Sequence, residues 1–360
     1  MRLGIIGLPN SGKTTIFNAL TGQTLETGAV TTGQFEVHTA VVNVPDARLD
    51  KMIDLFQPKK SAYATITYAD IAGLDKGISD GGLKGQFRNE LSQVDGFVHV
   101  VRAFESDIVP HPYDSVDPAR DAAIIDGEFL LEDLTTIEKR LAKVKDEIRI
   151  KGKKVEAQYA EEIVLLEQMH AHLETEKPLR DFDLTTEQEK ALRGFGFLTL
   201  KPVLVILNIG DEAKDPDSLL TYTHQNSAVV GLQGKLEAEL SQLDDPEDVE
   251  MFMEEYGITE LSRDKVIRVS YDLMGIHSFF TVGKDECRAW TVPVGATAPE
   301  AAGTIHSDLQ RGFIRAEVMN YQDLLNAGSE AEVKNQGKMH LEGKEYIVQD
   351  GDIVHIKFNV

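Results

Sequence analysis

The chain has 360 residues, 42% of them hydrophobic, and a formal net charge of −23, which suits a folded, soluble protein of two or three domains. No apolar run approaches the roughly 20 residues that a membrane-spanning helix needs, and residues 1–7 turn glycine-rich too soon for a signal peptide, so the expected location is the cytoplasm, not a membrane. The acidic balance repels nucleic acid as a whole: DNA is not expected as a partner, and any RNA contact must come from a local basic patch.

Taken in chain order, short β-rich runs fall at 3–6, 39–44, 64–71, 97–101, 203–209 and 266–269 with helical patterns between most of them, which predicts a parallel α/β sheet. Directly after the first run stands Gly7-Leu8-Pro9-Asn10-Ser11-Gly12-Lys13-Thr14, followed by Thr15 and a helical stretch. This is the phosphate-loop pattern G-x-x-x-x-G-K-S/T in its proper strand-to-helix setting. Glycines let successive N–H groups turn toward phosphate oxygens, Lys13 reaches the terminal phosphates, and the Thr14 hydroxyl is a Mg²⁺ ligand. A glycine turn capped by Thr14 explains the bend but gives no reason for Lys13.

At the end of the third run comes Asp70-Ile71-Ala72-Gly73, the DxxG element of switch NTPases. Asp70 is expected to hold Mg²⁺ through water, and the Gly73 N–H to meet the γ-phosphate, so that losing the phosphate frees the loop. Leu74 stands where Ras-type GTPases carry the water-orienting glutamine. Another group must therefore do that work, or hydrolysis is slow; Gly77, Gly81, Gly82 and Gly85 make either a mobile loop or plain turns.

The gap of about 100 residues between the fourth and fifth runs is several times a βαβ crossover, so a separate element is inserted. Leu130, Leu134, Ile137, Leu141, Val144 and Ile148 alternate at spacings of four and three, and Ile163, Leu166, Met169 and Leu173 carry a return helix from about Val155. With a turn at Lys151-Gly152-Lys153-Lys154 this predicts an antiparallel helical hairpin. Eight basic residues gather between Lys139 and Lys154, as a phosphate-backbone contact or as an ordinary solvated helix surface.

The fifth run ends in Asn208-Ile209-Gly210-Asp211, where guanine-specific switches carry N-K-x-D. Ile209 replaces the lysine that would pack on the base, which relaxes guanine selectivity. After about Phe279, short strands with turn signals predict a small β-rich terminal domain.

Together LPNSGKTT at 8–15, DIAGL at 70–74, HVVRAFE at 99–105, RAWTVPVGATAP at 288–299 and GKEYIVQDGDIVHIKFNV at 343–360 resemble the YchF/Obg-like ATPase family over essentially the whole chain. The resemblance implies a Ras-like P-loop domain at 1–128 and 200–278, an inserted coiled-coil hairpin at 129–199 and a TGS-like, ubiquitin-like domain at 279–360. It also implies ATP binding with slow hydrolysis, usually in preference to GTP, and association with ribosomes. The nucleotide-binding residues are then Pro9, Asn10, Ser11, Gly12, Lys13, Thr14, Thr15, Gly73, Asn208, Ile209 and Asp211. The metal ligands are Thr14, Asp70 and, in place of the usual switch I threonine, Thr32 or Thr31, since an ungapped match puts Gln34 at that position. Counting from Phe104-Glu105 puts His111 where such families use a catalytic histidine; a loop histidine between two prolines is the structural alternative. The family's base motif is N-x-x-E, so Asp211 departs from it toward the guanine-type residue. A GTP-specific translation GTPase and a nucleotide-stabilised scaffold with incidental hydrolysis are the competing readings. The ribosomal or rRNA contact is expected at Lys151, Lys153 and Lys154 and through the TGS-like end.

Overall fold

The computed structural model describes residues 1–26, 37–71, 83, 85–210, 215–243, 245–255 and 261–359, without the side chains of 153, 154, 246, 250, 254 and 255. The chain forms two compact units, residues 1–41 with 67–266 and residues 42–66 with 267–360.

In chain order the elements that position the site begin with β1 (Arg2–Ile6) and α1 (Lys13–Thr21), followed by β2 (Val37–Asn43), α2 (Ala47–Phe56), β3 (Lys60–Ala62) and β4 (Thr65–Ile71). Next come α3 (Gly85–Gln93), β5 (Gly96–Arg102), and the hairpin helices α4 (Pro118–Lys151) and α5 (Lys153–Leu173). Then follow α6 (Thr186–Leu192), β6 (Val203–Asn208), α7 (Pro216–Leu219), β7 (Ser227–Leu232) and α8 (Gly234–Leu240).

The first unit is built on a sheet of order β2-β4-β1-β5-β6-β7. The pairs β1–β4, β1–β5, β5–β6 and β6–β7 are parallel, and all of β5 and β6 is buried, as helix-covered parallel strands must be. Phe87 and Leu91 of α3 pack with Ala122, Ile125 and Phe129 of α4 and with Phe97, Val203 and Leu207 of the sheet. The carboxyl ends of β1, β4, β5 and β6 therefore share one edge, where α/β sheets bind ligands.

The fold differs from the sequence reading in several places, among them residues 42–66, which belong to the second unit and not to the P-loop domain expected at 1–128. The run at 266–269 is not a strand but part of a helix, α10 (Ser262–Leu273), numbered after α9 (Pro246–Glu255). Buried Val266, Ile267, Ser270 and Tyr271 recur at helical spacing, which a four-residue window with three β-branched residues conceals. The sixth strand of the sheet is instead β7, Ser227–Leu232. Finally, α4 begins at Pro118, eleven residues before the expected hairpin boundary at 129. Asp117 caps it by accepting from Arg120 N at 3.1 Å, with Pro118 in the first turn.

The seam itself holds. Ile137 and Leu141 of α4 pack with Leu165, Leu166, Met169 and Leu173 of α5, with Leu130, Leu134 and Ile163 at the margin. The turn is made by Gly152, whose φ of 78° suits glycine.

The second unit contains β8 (Ile276–Thr281), β9 (Glu286–Pro293), β10 (Phe313–Asn320), β11 (His340–Glu342) and β12 (Asp352–Phe358), in the order β11-β10-β12-β8-β9-β3. Strands are joined here by helices at 298–305, 307–311, 321–327 and 330–335 that turn signals alone do not reveal. The first is announced by Thr297 and Glu300: the glutamate accepts from the Thr297 N–H at 2.7 Å. Residues 42–66 join this unit through β3, which pairs in parallel with β9, and through Arg48, which donates to Asp350 at 2.7 Å while both remaining nitrogens engage Asp46.

Candidate functional site

The phosphate loop leaves β1 at Gly7, whose absent side chain is a steric necessity: a Cβ there would lie 2.3 Å from the Val100 carbonyl of β5. Asn10 then adopts a positive φ of 61°, and Gly12, at φ 95°, starts α1. A Cβ on Gly12 would lie 2.3 Å from Asn208 Nδ2. Loop and strand end are thus packed against one another at van der Waals limits, which fixes the loop's curvature.

Lys13 Nζ donates to the carbonyls of Gly7 at 3.0 Å and Leu8 at 2.9 Å, so the ammonium spans the concavity of the loop. At its foot, Thr14 Oγ1 donates to Asp70 Oδ2 at 2.9 Å. Asp70 is buried, and burial pushes its carboxyl above the usual range although the Thr14 bond and the Lys13 charge oppose this. A hydroxyl and an under-compensated carboxylate side by side are an oxygen-donor pair that fits a hard divalent cation. Ser11 is buried with its Oγ unpartnered among the described residues.

Asn208 ends β6 and faces the loop rather than open solvent. Its Nδ2 donates to Ser11 O at 3.0 Å, and its Oδ1 accepts from Gly234 N at 3.3 Å. Beside it lies a cavity of about 680 Å³, lined among others by Gly12, Thr15, Asn18, Phe104, Lys235 and Gln242, within the range of small-molecule sites. Asn18 shapes its wall by holding the main chain of Leu25 through two bonds of 2.8 and 3.1 Å.

Of the residues expected at the site, Gly12, Thr15 and Asn208 line this cavity, with Lys13, Thr14 and Asp70 at its phosphate end. Ile209 does not line it: its side chain is buried in the sheet core with Val205 and Leu207, and its N–H donates to Leu232 O at 3.0 Å. Thr31, Thr32, Gln34, Gly73, Leu74, Gly77, Gly81, Gly82 and Asp211 lie outside the described residues. Asn18, Phe104, Lys235 and Gln242 were not anticipated. Phe104 was findable, because it follows β5 at the binding edge of the sheet; Lys235 and Gln242 depend on β7 and α8, whose existence the sequence reading missed.

His111 sits in the segment after β5. Asn10 Nδ2 donates to Pro110 O at 3.0 Å, so the phosphate loop touches the residue just before it. The imidazole is turned to α4: Nε2 is 2.8 Å from Asp121 Oδ2, and Nδ1 accepts from Tyr113 N at 3.1 Å.

Along the hairpin, the return helix supplies acids that a count along α4 leaves out. Arg140 pairs with Glu162 and Lys145 with Glu167, while Lys151 pairs with Glu147 at 3.1 Å on its own helix. Among the described residues no helix is long and apolar enough to cross a membrane.

A family described as "50S ribosome-binding GTPase" matches residues 2–208, and the YchF-GTPase_C family, described as "Protein of unknown function (DUF933)", matches residues 276–359. The chain is 42% identical to the "Ribosome-binding ATPase YchF" of Bacillus subtilis (strain 168) over 99% of each chain. It is 40% identical to the protein of the same name from Escherichia coli O157:H7, over 100% of this chain and 99% of that one. Its fold superposes on the "Structure of the Schizosaccharomyces pombe YchF GTPase" with a TM-score of 0.85 at 32% identity, covering 99% of this chain and 97% of the other.

Proposed function

Because the chain belongs to the YchF family along its full length, we propose that it is a cytoplasmic, ribosome-associated nucleoside triphosphatase that hydrolyses ATP, with GTP as the alternative substrate. The observation that carries this reading is the phosphate loop itself, with Lys13 across its concavity and Thr14 on Asp70 beneath a cavity closed by Asn208. Thr14 and Asp70, joined by Thr32 of switch I, would hold Mg²⁺, which supplies charge neutralisation on the phosphate oxygens. Gly73 and Asp211 complete the phosphate and base contacts in this reading, and His111 orients the attacking water.

The ATP preference rests on the absence of a lysine at Ile209 and on the names of the bacterial relatives. The separate cores at 137–197 and 279–354 support a division into a P-loop domain, an inserted hairpin and a TGS-like end. The ribosomal contact is assigned to the hairpin tip, Lys151 with Lys153 and Lys154, and to the TGS-like end. A scaffold with incidental hydrolysis is the second reading, favoured by the withdrawn position of the His111 ring.

The test is direct competition of ATP and GTP analogues for the purified protein with Mg²⁺, paired with phosphate release from wild type and Lys13→Ala. Tighter ATP binding with release that depends on Lys13 is expected. Tighter GTP binding moves the chain to the GTPase reading, and release indifferent to Lys13 favours the scaffold.

A further inference from the structure

His111 is held at both ring nitrogens. Nδ1 accepts from the Tyr113 N–H, which leaves the ring proton on Nε2, and that N–H points at Asp121 Oδ2 at 2.8 Å. The imidazole is only 5% exposed and the carboxylate 3%. A group that orients or deprotonates water needs a nitrogen that water can reach, and in this arrangement neither is offered. The carboxylate is itself fixed, since Asp121 Oδ1 accepts from Arg120 Nε at 3.0 Å and from Arg120 Nη2 at 2.8 Å. It lies in the first turn of α4, where the helix terminus favours negative charge.

The main chain beside His111 is anchored independently. Asn10 of the phosphate loop holds Pro110 O at 3.0 Å, and Arg102 holds Val109 O at 2.9 Å. Rotation about the side-chain bonds of His111 therefore exchanges its partners without moving the anchor beside the phosphate loop. We propose that Asp121 is a positioning residue that keeps His111 withdrawn, so that resting turnover is set by the fraction of molecules in which this pair is broken. The proposal rests on the reading of His111 as the water-orienting group. Turnover then scales with the released fraction, as for any protein whose competent state is a minor one.

The experiment measures kcat and KM for ATP with Mg²⁺ in the full chain for His111→Ala, Asp121→Ala, Asp121→Asn and the double variant His111→Ala/Asp121→Ala, with thermal melts of each. Asp121→Ala is expected to raise kcat on the order of tenfold by removing a charge-assisted bond, with KM unchanged. Asp121→Asn should raise it less, because the amide oxygen still accepts from Nε2, and the double variant should fall to the level of His111→Ala. A purely structural role for Asp121 would lower the melting temperature without this dependence on His111. If His111→Ala lowers kcat but folded Asp121 variants do not raise it, the latch is overturned and the role of His111 stands. If His111→Ala leaves kcat unchanged, the underlying reading fails and the latch with it. Should Asp121→Ala not fold, Asp121→Asn decides the matter.

Discussion

Asn208 and Ser11 are joined by a hydrogen bond of 3.0 Å from side-chain amide to main-chain carbonyl, and the same side chain accepts from Gly234 N at 3.3 Å. One residue at the end of β6 thus ties the phosphate loop to the start of α8. It is a strut before it is a base contact, because both ends of its amide are engaged within the protein.

Asn208→Ala should therefore weaken ATP and GTP binding alike, about tenfold, and destabilise the fold by roughly 1–3 kcal/mol by leaving a buried carbonyl and N–H unpaired. Isothermal titration with both nucleotides and a urea melt check this. Loss confined to one nucleotide would show that Asn208 reads the base instead.

What could be read in the chain before folding divides along physical lines. Gly7 to Thr14 was legible because a phosphate loop is a local device, whose spacing carries its geometry. The pairing of Thr14 with Asp70 was likewise implied by the DxxG spacing. The cavity wall was not: Lys235 and Gln242 are brought there by β7 and α8, and Ser227–Leu232 has little alternation to mark it as a strand. Nor was the membership of 42–66 in the second unit legible, since it depends on β3 pairing with β9 and on Arg48 meeting Asp350, partners more than 200 positions away. For His111 the sequence supplied a location. The orientation toward Asp121 arises from a helix that starts earlier than its apolar seam.

His99, in the middle of β5, should make the fold acid-sensitive. It is fully buried, its Nε2 has no partner among the described residues, and desolvation pushes its pKa down to about 4 from 6.5. Above pH 6.5 the imidazole is neutral in both states and nothing is lost. As pH falls from 6.5 toward 4 the unfolded chain takes up a proton that the folded chain refuses, so stability falls through that window by at most roughly 3 kcal/mol. His99→Gln cannot titrate, so the stability difference between it and wild type should shift in favour of the variant from pH 7 to pH 4 in urea melts. Parallel curves would mean that His99 is protonated alike in both states.

The basic stretch of α4 is less basic in space than in sequence, because Glu162 and Glu167 of α5 answer Arg140 and Lys145, and nearer the tip Glu147 answers Lys151. If the tip contacts ribosomal phosphates, Lys151→Glu with Lys153→Glu and Lys154→Glu should reduce co-sedimentation with ribosomes at moderate salt. The log–log salt dependence should flatten by about one unit per lost phosphate contact. Unchanged co-sedimentation would assign the contact elsewhere, and melting temperature should be unaffected in either case, since exposed ion pairs contribute little.

Gly127 interrupts α4 between Ile125 and Phe129, two residues of the sheet-facing core. A Cβ there would meet nothing within 4 Å, and no positive φ requires glycine at this position. Gly127→Ala should therefore stabilise the protein by roughly 0.5–1 kcal/mol, the backbone-entropy difference between the two residues in a helix. The 34 residues of α4 span about 50 Å, with Asp121 in the first turn and Lys151 at the far end, so stiffening at Gly127 also asks whether bending of this rod matters to the site at its base. A higher melting temperature with unchanged phosphate release would make the glycine a neutral weakness. A higher melting temperature with altered release, in the presence of ribosomes but not without them, would show that α4 transmits the state of the tip to His111. A lower melting temperature would mean that the helix is not continuous through residue 127.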